Sequence, residues 1–403
     1  MKKLLVFFLA APLFAQTSVR VDVRVINVDV SVIDPAGKAV TDLTRDDFEV
    51  LEDNKPQKIT NFAISNRPSS PASADDRSVP QLRRRVIFLI DNNYIDKTDR
   101  DNALQNLDQF IDTTFDGTYE WALGMIGEQL EIVQPFTTDK KAIHAAIAKV
   151  RGSATTSFRD AMNRSMLDDS LFQQSGMGSP AGFESRERAN RTARALANTA
   201  RGLIDASHIF ATTEGKKLAV LLTGNMDLNS AFAAYDNGND RELQDLKTAT
   251  SRMIDLIVRE ANAANMSIHV IRAASHQNAA PQHDVSNHSS GRGIEGVDMT
   301  SSTDVRDTSS AWTIASGTGG LYLASNNVRD SYNTLDAAAG TFYLLGYEPD
   351  HPEDRQYHHI TVHVKRPNMR LVYRQGYADL PIEDRIEQLL QLRVSTLQPA
   401  NAV

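Results

Sequence analysis

The chain has 403 residues, no cysteine, 23% charged residues and a formal net charge of -8 at pH 7. That length supports two modest cores or one large one. The lack of cysteine excludes disulfides, thiolate chemistry and a lipoprotein anchor, and the acidic balance argues against a nucleic-acid partner.

Lys2-Lys3, the apolar run Leu4 to Ala11 and the small-residue ending Leu13-Phe14-Ala15 have the three regions of a secretory signal. Residues 1–15 are expected to be removed, and the run is too short to serve as a permanent membrane anchor. Loss of Lys2 and Lys3 takes the net charge from -8 to -10 (-8 minus 2). The protein is expected in the periplasm or secreted.

Residues 17–65 read as β structure. Val19, Val21, Val23 and Val25 alternate with polar residues, and the alternation resumes out of phase at Val28, Val30 and Val32. Such a slip predicts a bulge or break near Ile26-Asn27. Asp34-Pro35-Ala36-Gly37-Lys38 is a turn. A helical turn near Asp46, a strand through Val50, an Asp53-Asn54 turn and a strand toward Ile59 follow. Alone, these strands leave open edges. Residues 66–82, rich in Pro, Ser, Ala and Asp, read as a linker.

Arg83-Arg84-Arg85 is the polar lead-in to Val86-Ile87-Phe88-Leu89-Ile90, which ends abruptly in Asp91-Asn92-Asn93-Tyr94-Ile95. A continuous apolar run of this length predicts a central parallel strand buried on both faces. Its carboxyl end opens into a polar loop, where open α/β sheets put their sites. Asp99 to Phe115 follows as a helix with Leu104, Leu107, Phe110 and Ile111 on one face. Then come a hairpin (Tyr119 to Ile126, Leu130 to Val133), a helix from Asp139 to Val150, a loop around Thr156, and a long Arg/Ala helix ending near Ile209.

Lys216 to Thr223 is a further buried strand, Asp240 to Ala264 a helix and Met266 to Ile271 a strand. Ala274 to Asp307 is a polar excursion, too long for an ordinary connection. Trp312 to Thr318 closes a helix and Leu321 to Leu323 forms the last strand of this series. Residues 341–380 return to β structure at Thr341 to Tyr347, His359 to Val364 and Leu371 to Tyr373, and residues 381–403 hold an amphipathic tail helix.

The Asp91 loop and its flanking strand and helix, with Ala315 to Tyr322, Tyr343 to Pro349 and Arg374-Gln375-Gly376-Tyr377, resemble the secreted von Willebrand factor type A (VWA)-related proteins of acidobacteria. The resemblance implies a VWA-like (Rossmann-type), doubly wound, mostly parallel α/β sheet over residues 83–340. Because the terminal strands each lack partners, we expect residues 17–65 and 341–380 to complete one β-sandwich module around that insertion.

The family's loop carries Asp-x-Ser-x-Ser and holds a divalent cation. By resemblance, Asp91, Asn93 and Thr156 would be the metal ligands here, for Mg²⁺ or another divalent cation bound weakly. Ile95 cannot ligate. Gly224 stands where an Asp is usual, with Asn225 and Asp227 beyond it. Without metal, Asp91 and Asn93 would cap the following helix or bond loop amides.

Other constellations are weaker. His276, His283 and His288 lack zinc-site spacing, and His359 and His363, sharing a strand face with Thr361 beside His358, make at best a two-ligand surface pair. The chain has no Gly-x-Ser-x-Gly, no His-Glu-x-x-His and no phosphate loop. Trp121 and Trp312 read as core. The expectation is therefore an exported, non-enzymatic, adhesion-type protein that binds a protein partner through Asp91, Asn93, Thr156, Asn225 and Asp227. The alternatives are an extracytoplasmic hydrolase with a dispersed site and an envelope scaffold.

Overall fold

The computed structural model describes residues 24–65, 84–114, 119–153, 181–211, 215–224, 226, 241–273, 309–324, 327–381 and 384. Residues 1–15, 66–82 and 274–307 and nearly all of 381–403, read above as signal, linker, excursion and tail helix, lie outside them.

In β5 (Arg84–Asp91), Val86, Phe88 and Ile90 pack to one side and Ile87 and Leu89 to the other, all nearly inaccessible to solvent. A strand apolar on both faces must be covered on both. It lies inside a six-stranded sheet ordered β10-β9-β8-β5-β6-β7, with β6 (Tyr119–Ile126), β7 (Leu130–Thr137), β8 (Lys216–Thr223), β9 (Met266–Arg272) and β10 (Tyr322–Leu323). All neighbours are parallel except β6 and β7. Numbered within the sheet, the strands run 3-2-1-4-5-6, the doubly wound order. The hairpin extends past Val133 to Thr137 because Pro135 falls on the edge strand β7, where a missing donor is tolerated.

One face is covered by α1 (Lys97–Thr114), α2 (Lys140–Gly152) and α6 (Val328–Gly340). The other is covered by α3 (Ala181–Ala211), α4 (Arg241–Ala263) and α5 (Ser309–Gly317). Asp139 caps α2 by accepting from the Lys141 amide at 2.9 Å, satisfying one of the helix's free donors. Phe88 stacks on Trp121 at 5.4 Å, so Trp121 is core. Trp312 is not: on α5 it is 52% exposed, because that short helix buries Ala311, Ile314 and Ala315 instead.

The remaining strands form two four-stranded antiparallel sheets. In the first, β1 (Ile26–Ile33) lies between β11 (Phe342–Tyr347) and β13 (Arg370–Val372), and β4 (Ile59–Ser65) pairs with β11. In the second, β12 (Tyr357–Val364) lies between β14 (Gly376–Ala378) and β2 (Phe48–Glu52), with β3 (Lys55–Gln57) beyond β2. β1, β2 and β4 thus each pair with a C-terminal strand. Val28, Val30, Val50, Tyr343, Leu345, Ile360 and Val362 belong to one apolar cluster drawn from both sheets. The predicted slip resolves as a strand start: β1 begins at Ile26 and runs unbroken through Asn27.

Arg84 departs from its expected role as a solvated lead-in. It is 2% exposed, and its Nη2 donates to Ser65 Oγ at 2.7 Å and to the Gly340 carbonyl at 3.3 Å, tying β5 to the ends of β4 and α6. Lys216 ties β8 to β1 and α6, donating from Nζ to Ser31 Oγ and the Ala338 carbonyl, with Nζ over the Phe342 ring.

Candidate functional site

The sheet's order reverses between β5 and β8, and both strands end there in polar residues, Asp91 and Thr223. Crevices at such switch points are where open α/β sheets bind ligands. Asp91 is fully buried. Its Oδ2 accepts from the Thr223 hydroxyl at 2.9 Å, and its Oδ1 accepts from the Thr199 hydroxyl at 2.9 Å and from the Asn93 amide at 3.1 Å and side chain at 3.2 Å. Burial pushes its carboxyl up to about 6, even though the Thr223, Thr199 and Asn93 donors all favour the anion.

Asn93 holds the neighbouring loop. Its Nδ2 also donates to the Gly127 carbonyl at 3.2 Å, fixing the β6–β7 turn against the Asp91 loop. Tyr94 reaches α3, its hydroxyl donating to the Thr192 carbonyl at 3.4 Å. Ile95 is wholly buried in the apolar cluster under α1. The first turn of α1 is capped by Asp96, which accepts from the Asp99 amide at 2.8 Å, so neither Asp91 nor Asn93 does that work.

Gly224 follows from the same loop. A Cβ there would lie 2.1 Å from the Tyr94 carbonyl oxygen, so no side chain fits while the loop holds this course. The carboxylate that the resemblance places at this position is sterically barred.

Among the described residues, the structure joins Asp91 and Asn93 and adds Thr199 and Thr223. Thr156, Asn225 and Asp227 lie outside the described residues. Sequence reading missed Thr199, although Thr192, Leu196, Thr199 and Leu203 form one helical stripe, all at most 3% exposed. Two threonines on a buried stripe were the available signal.

Among the described residues, Asp91, Asn93, Thr199 and Thr223 do not by themselves make the octahedral oxygen cage that Mg²⁺ demands. The described loop offers one carboxylate, and both its oxygens already accept from protein donors. The arrangement can store one negative charge in a low-dielectric crevice and gain or lose it near pH 6.

No family model matches the chain, and no curated protein matches it in sequence. Similar solved structures include an aerotolerance-related membrane protein from Bacteroides fragilis, at 12% identity and a TM-score of 0.33 over 64% of this chain and 98% of that one. BatB from Bacteroides thetaiotaomicron is 12% identical with a TM-score of 0.31, over 64% of this chain and 98% of its own. The manganese-loaded TRAP protein of Plasmodium vivax is 9% identical with a TM-score of 0.31, over 78% and 98%. These likenesses are distant, and nothing about the site is carried over from them.

Within the terminal sheets, the expected face-sharing pair His359 and His363 is exposed. The buried histidine is His358, 6% exposed and stacked against His351 at 4.1 Å.

Among the described residues, no helix is long and apolar enough to cross a membrane.

Proposed function

We propose that the chain is an exported, non-enzymatic interaction protein. A VWA-like α/β domain is carried on a β-sandwich made by the two terminal sheets, and a protein partner docks on the loops at the carboxyl edge of the six-stranded sheet. Asp91 and Asn93 anchor that surface, and Thr156, Asn225 and Asp227 extend it.

What supports the reading is the buried Asp91 at the switch point, ionisable near pH 6 and shared by hydroxyls from α3 and β8. A fold gains nothing in stability from an anion buried this way. Residues that cost stability collect where function needs them. In this reading the surface works without a resident cation, the buried anion pre-setting the loops on which the partner docks.

The test is quantitative crosslinking of the mature protein in its native envelope fraction. The Asp91→Ala/Thr156→Ala double variant should lose the crosslinked partner while keeping the native circular dichroism spectrum, with Arg366→Ala, in the exposed pair with Asp42, as the control. Retention of the partner by the double variant moves the interface elsewhere. Calorimetric titration with Mg²⁺, Mn²⁺ and Ca²⁺, repeated on Asp91→Ala, tests the cation-free part: saturable binding lost in the variant would contradict it.

A further inference from the structure

A second polar cluster lies on the opposite side of the chain's organisation, where its two ends meet. It is built from the segment leading into β12, the end of β14 and the β2–β3 turn. His351, Asp354, His358 and Asp379 bring one ligand atom each within 4.8 Å of one another. His351, Asp354 and His358 follow one another with two and three residues between them, the close spacing from which metal sites are assembled, and Asp379 completes the set from the next strand.

The contacts within the cluster leave acceptors facing acceptors. His358 Nδ1 lies 2.8 Å from Asp53 Oδ2, an arrangement in which the ring N–H donates to the carboxylate. That leaves Nε2 with a lone pair directed at Asp354 Oδ1, 3.1 Å away. Two lone pairs at this distance need a proton or a cation between them. His351 Nδ1 lies 2.8 Å from the Pro352 carbonyl, to which its N–H donates, and 3.8 Å from Asp379 Oδ2, while Nε2 lies 3.2 Å from Glu52 Oε1 and the ring stacks on His358. Charging both stacked rings by protonation is unfavourable, because like charges would sit face to face.

Glu52 is an independent observation. It is 3% exposed, and Oε1 takes the Tyr377 hydroxyl as well as His351. Its Oε2 is buried and makes no well-formed hydrogen bond; nor does the Tyr347 hydroxyl, which interacts with the same carboxylate. A buried carboxylate beside three further carboxylates is electrostatically unfavourable unless positive charge offsets it. Arg24 offsets one of them through Asp379.

We propose that His351, Asp354, His358 and Asp379 bind a Zn²⁺ ion, with Asp53 orienting His358 from behind and Glu52 supplying further negative charge to the inner wall. Two imidazoles and two carboxylates suit zinc, whereas Ca²⁺ and Mg²⁺ require six or more oxygens. Bonds of about 2.0–2.1 Å in tetrahedral array put ligand atoms about 3.3 Å apart, so the cluster needs only a local contraction. Asp53, Nδ1 of His358 and the ion form the carboxylate–histidine–metal relay that fixes the ring tautomer. Four protein ligands leave no open position, so the site is structural: it ties the segment leading into β12 to β12 and the end of β14, with the β2–β3 turn held to it only through Asp53.

The experiment uses the full mature chain without a histidine tag, titrated calorimetrically with ZnCl₂ and separately with MnCl₂ and CaCl₂. The expected result is one zinc per chain, a rise in melting temperature with zinc, and the intense visible absorption of tetrahedral cobalt when CoCl₂ replaces it. His351→Gln, at a partly exposed ring, should abolish saturable binding without unfolding the protein. Asp53→Asn should weaken zinc by about 10- to 100-fold. Asp91→Asn should bind zinc as the wild type does, which separates this site from the switch-point loop. Absence of saturable zinc binding, with His358 titrating as an ordinary imidazolium between Asp53 and Asp354, would overturn the proposal. So would zinc binding that His351→Gln leaves unchanged.

Discussion

Thr223 donates its hydroxyl to Asp91 at 2.9 Å across the boundary between β8 and β5. The bond joins two strands at the point where the sheet's order reverses, so any change in the charge of Asp91 is felt on both sides of the crevice. With its folded pKa raised from 3.8 to about 6, Asp91 keeps its proton in the native state after the unfolded chain has lost it. Stability therefore falls as pH rises from about 4 to about 6, then carries a constant penalty of up to about 3 kcal/mol. Asp91→Asn should remove that slope and stabilise the protein at pH 7. Urea melts at pH 4, 5, 6 and 7 check it; an unchanged slope in the variant would place the titration elsewhere.

Gly224→Ala should destabilise the fold by at least about 1–3 kcal/mol, the usual cost of overpacking. The added Cβ has the Tyr94 carbonyl 2.1 Å away, and backbone cannot swing aside as a side chain can. The loop from Asn92 to Tyr94 would have to shift. Hydrogen exchange should show its amides opening before those of β5.

Lys216 lies at the join between the α/β layer and the terminal strands, and burial lowers its ammonium from 10.5 to about 7, with Asp29 opposing and Arg84 reinforcing the shift. Between pH 7 and 10 the unfolded chain holds this proton and the native state does not, so native stability should rise with pH over that window. Lys216→Met should flatten the rise. Denaturant melts of both forms at pH 7, 8, 9 and 10 decide it.

Tyr343→Phe should cost about 1–3 kcal/mol. The Tyr343 hydroxyl donates to the Val40 carbonyl at 2.9 Å and accepts from the Leu43 amide at 3.1 Å, and both ends of that segment are buried. Without it, a buried amide and a carbonyl lose their partner. Equilibrium unfolding in urea is the readout.

Much of the α/β layer was legible because its strands carry their own signal. Val86 to Ile90 and Leu218 to Leu222 are apolar at every position, which only a sheet covered on both faces requires. Asp91 was legible for the same reason, since it ends such a run. Thr199 was not, because its role depends on α3 crossing the carboxyl edge 108 residues further along the chain. Ile95 and Gly224 were read as missing ligands, and packing explains each: one fills the core under α1 and the other clears the Tyr94 backbone. His351 was passed over although its spacing to Asp354 and His358 was a local signal, because the turn it sits in reads as solvated. It acquires partners only when the β2–β12 register places Glu52 opposite Ile360.

The pairing of Ser65 with Phe342 means that β4 and β11 are antiparallel neighbours with everything between them strung from one end of a ladder. In topological terms the intervening segment is an enlarged hairpin loop. A two- to five-residue turn would bridge the same gap, so the terminal strands could in principle exist as a small unit with the α/β layer cut out. During synthesis the reverse holds. The first strands made must wait for the last, since β1 finds both of its neighbours only after β11 and β13 have emerged. Until then the growing chain exposes an unpaired, valine-rich edge.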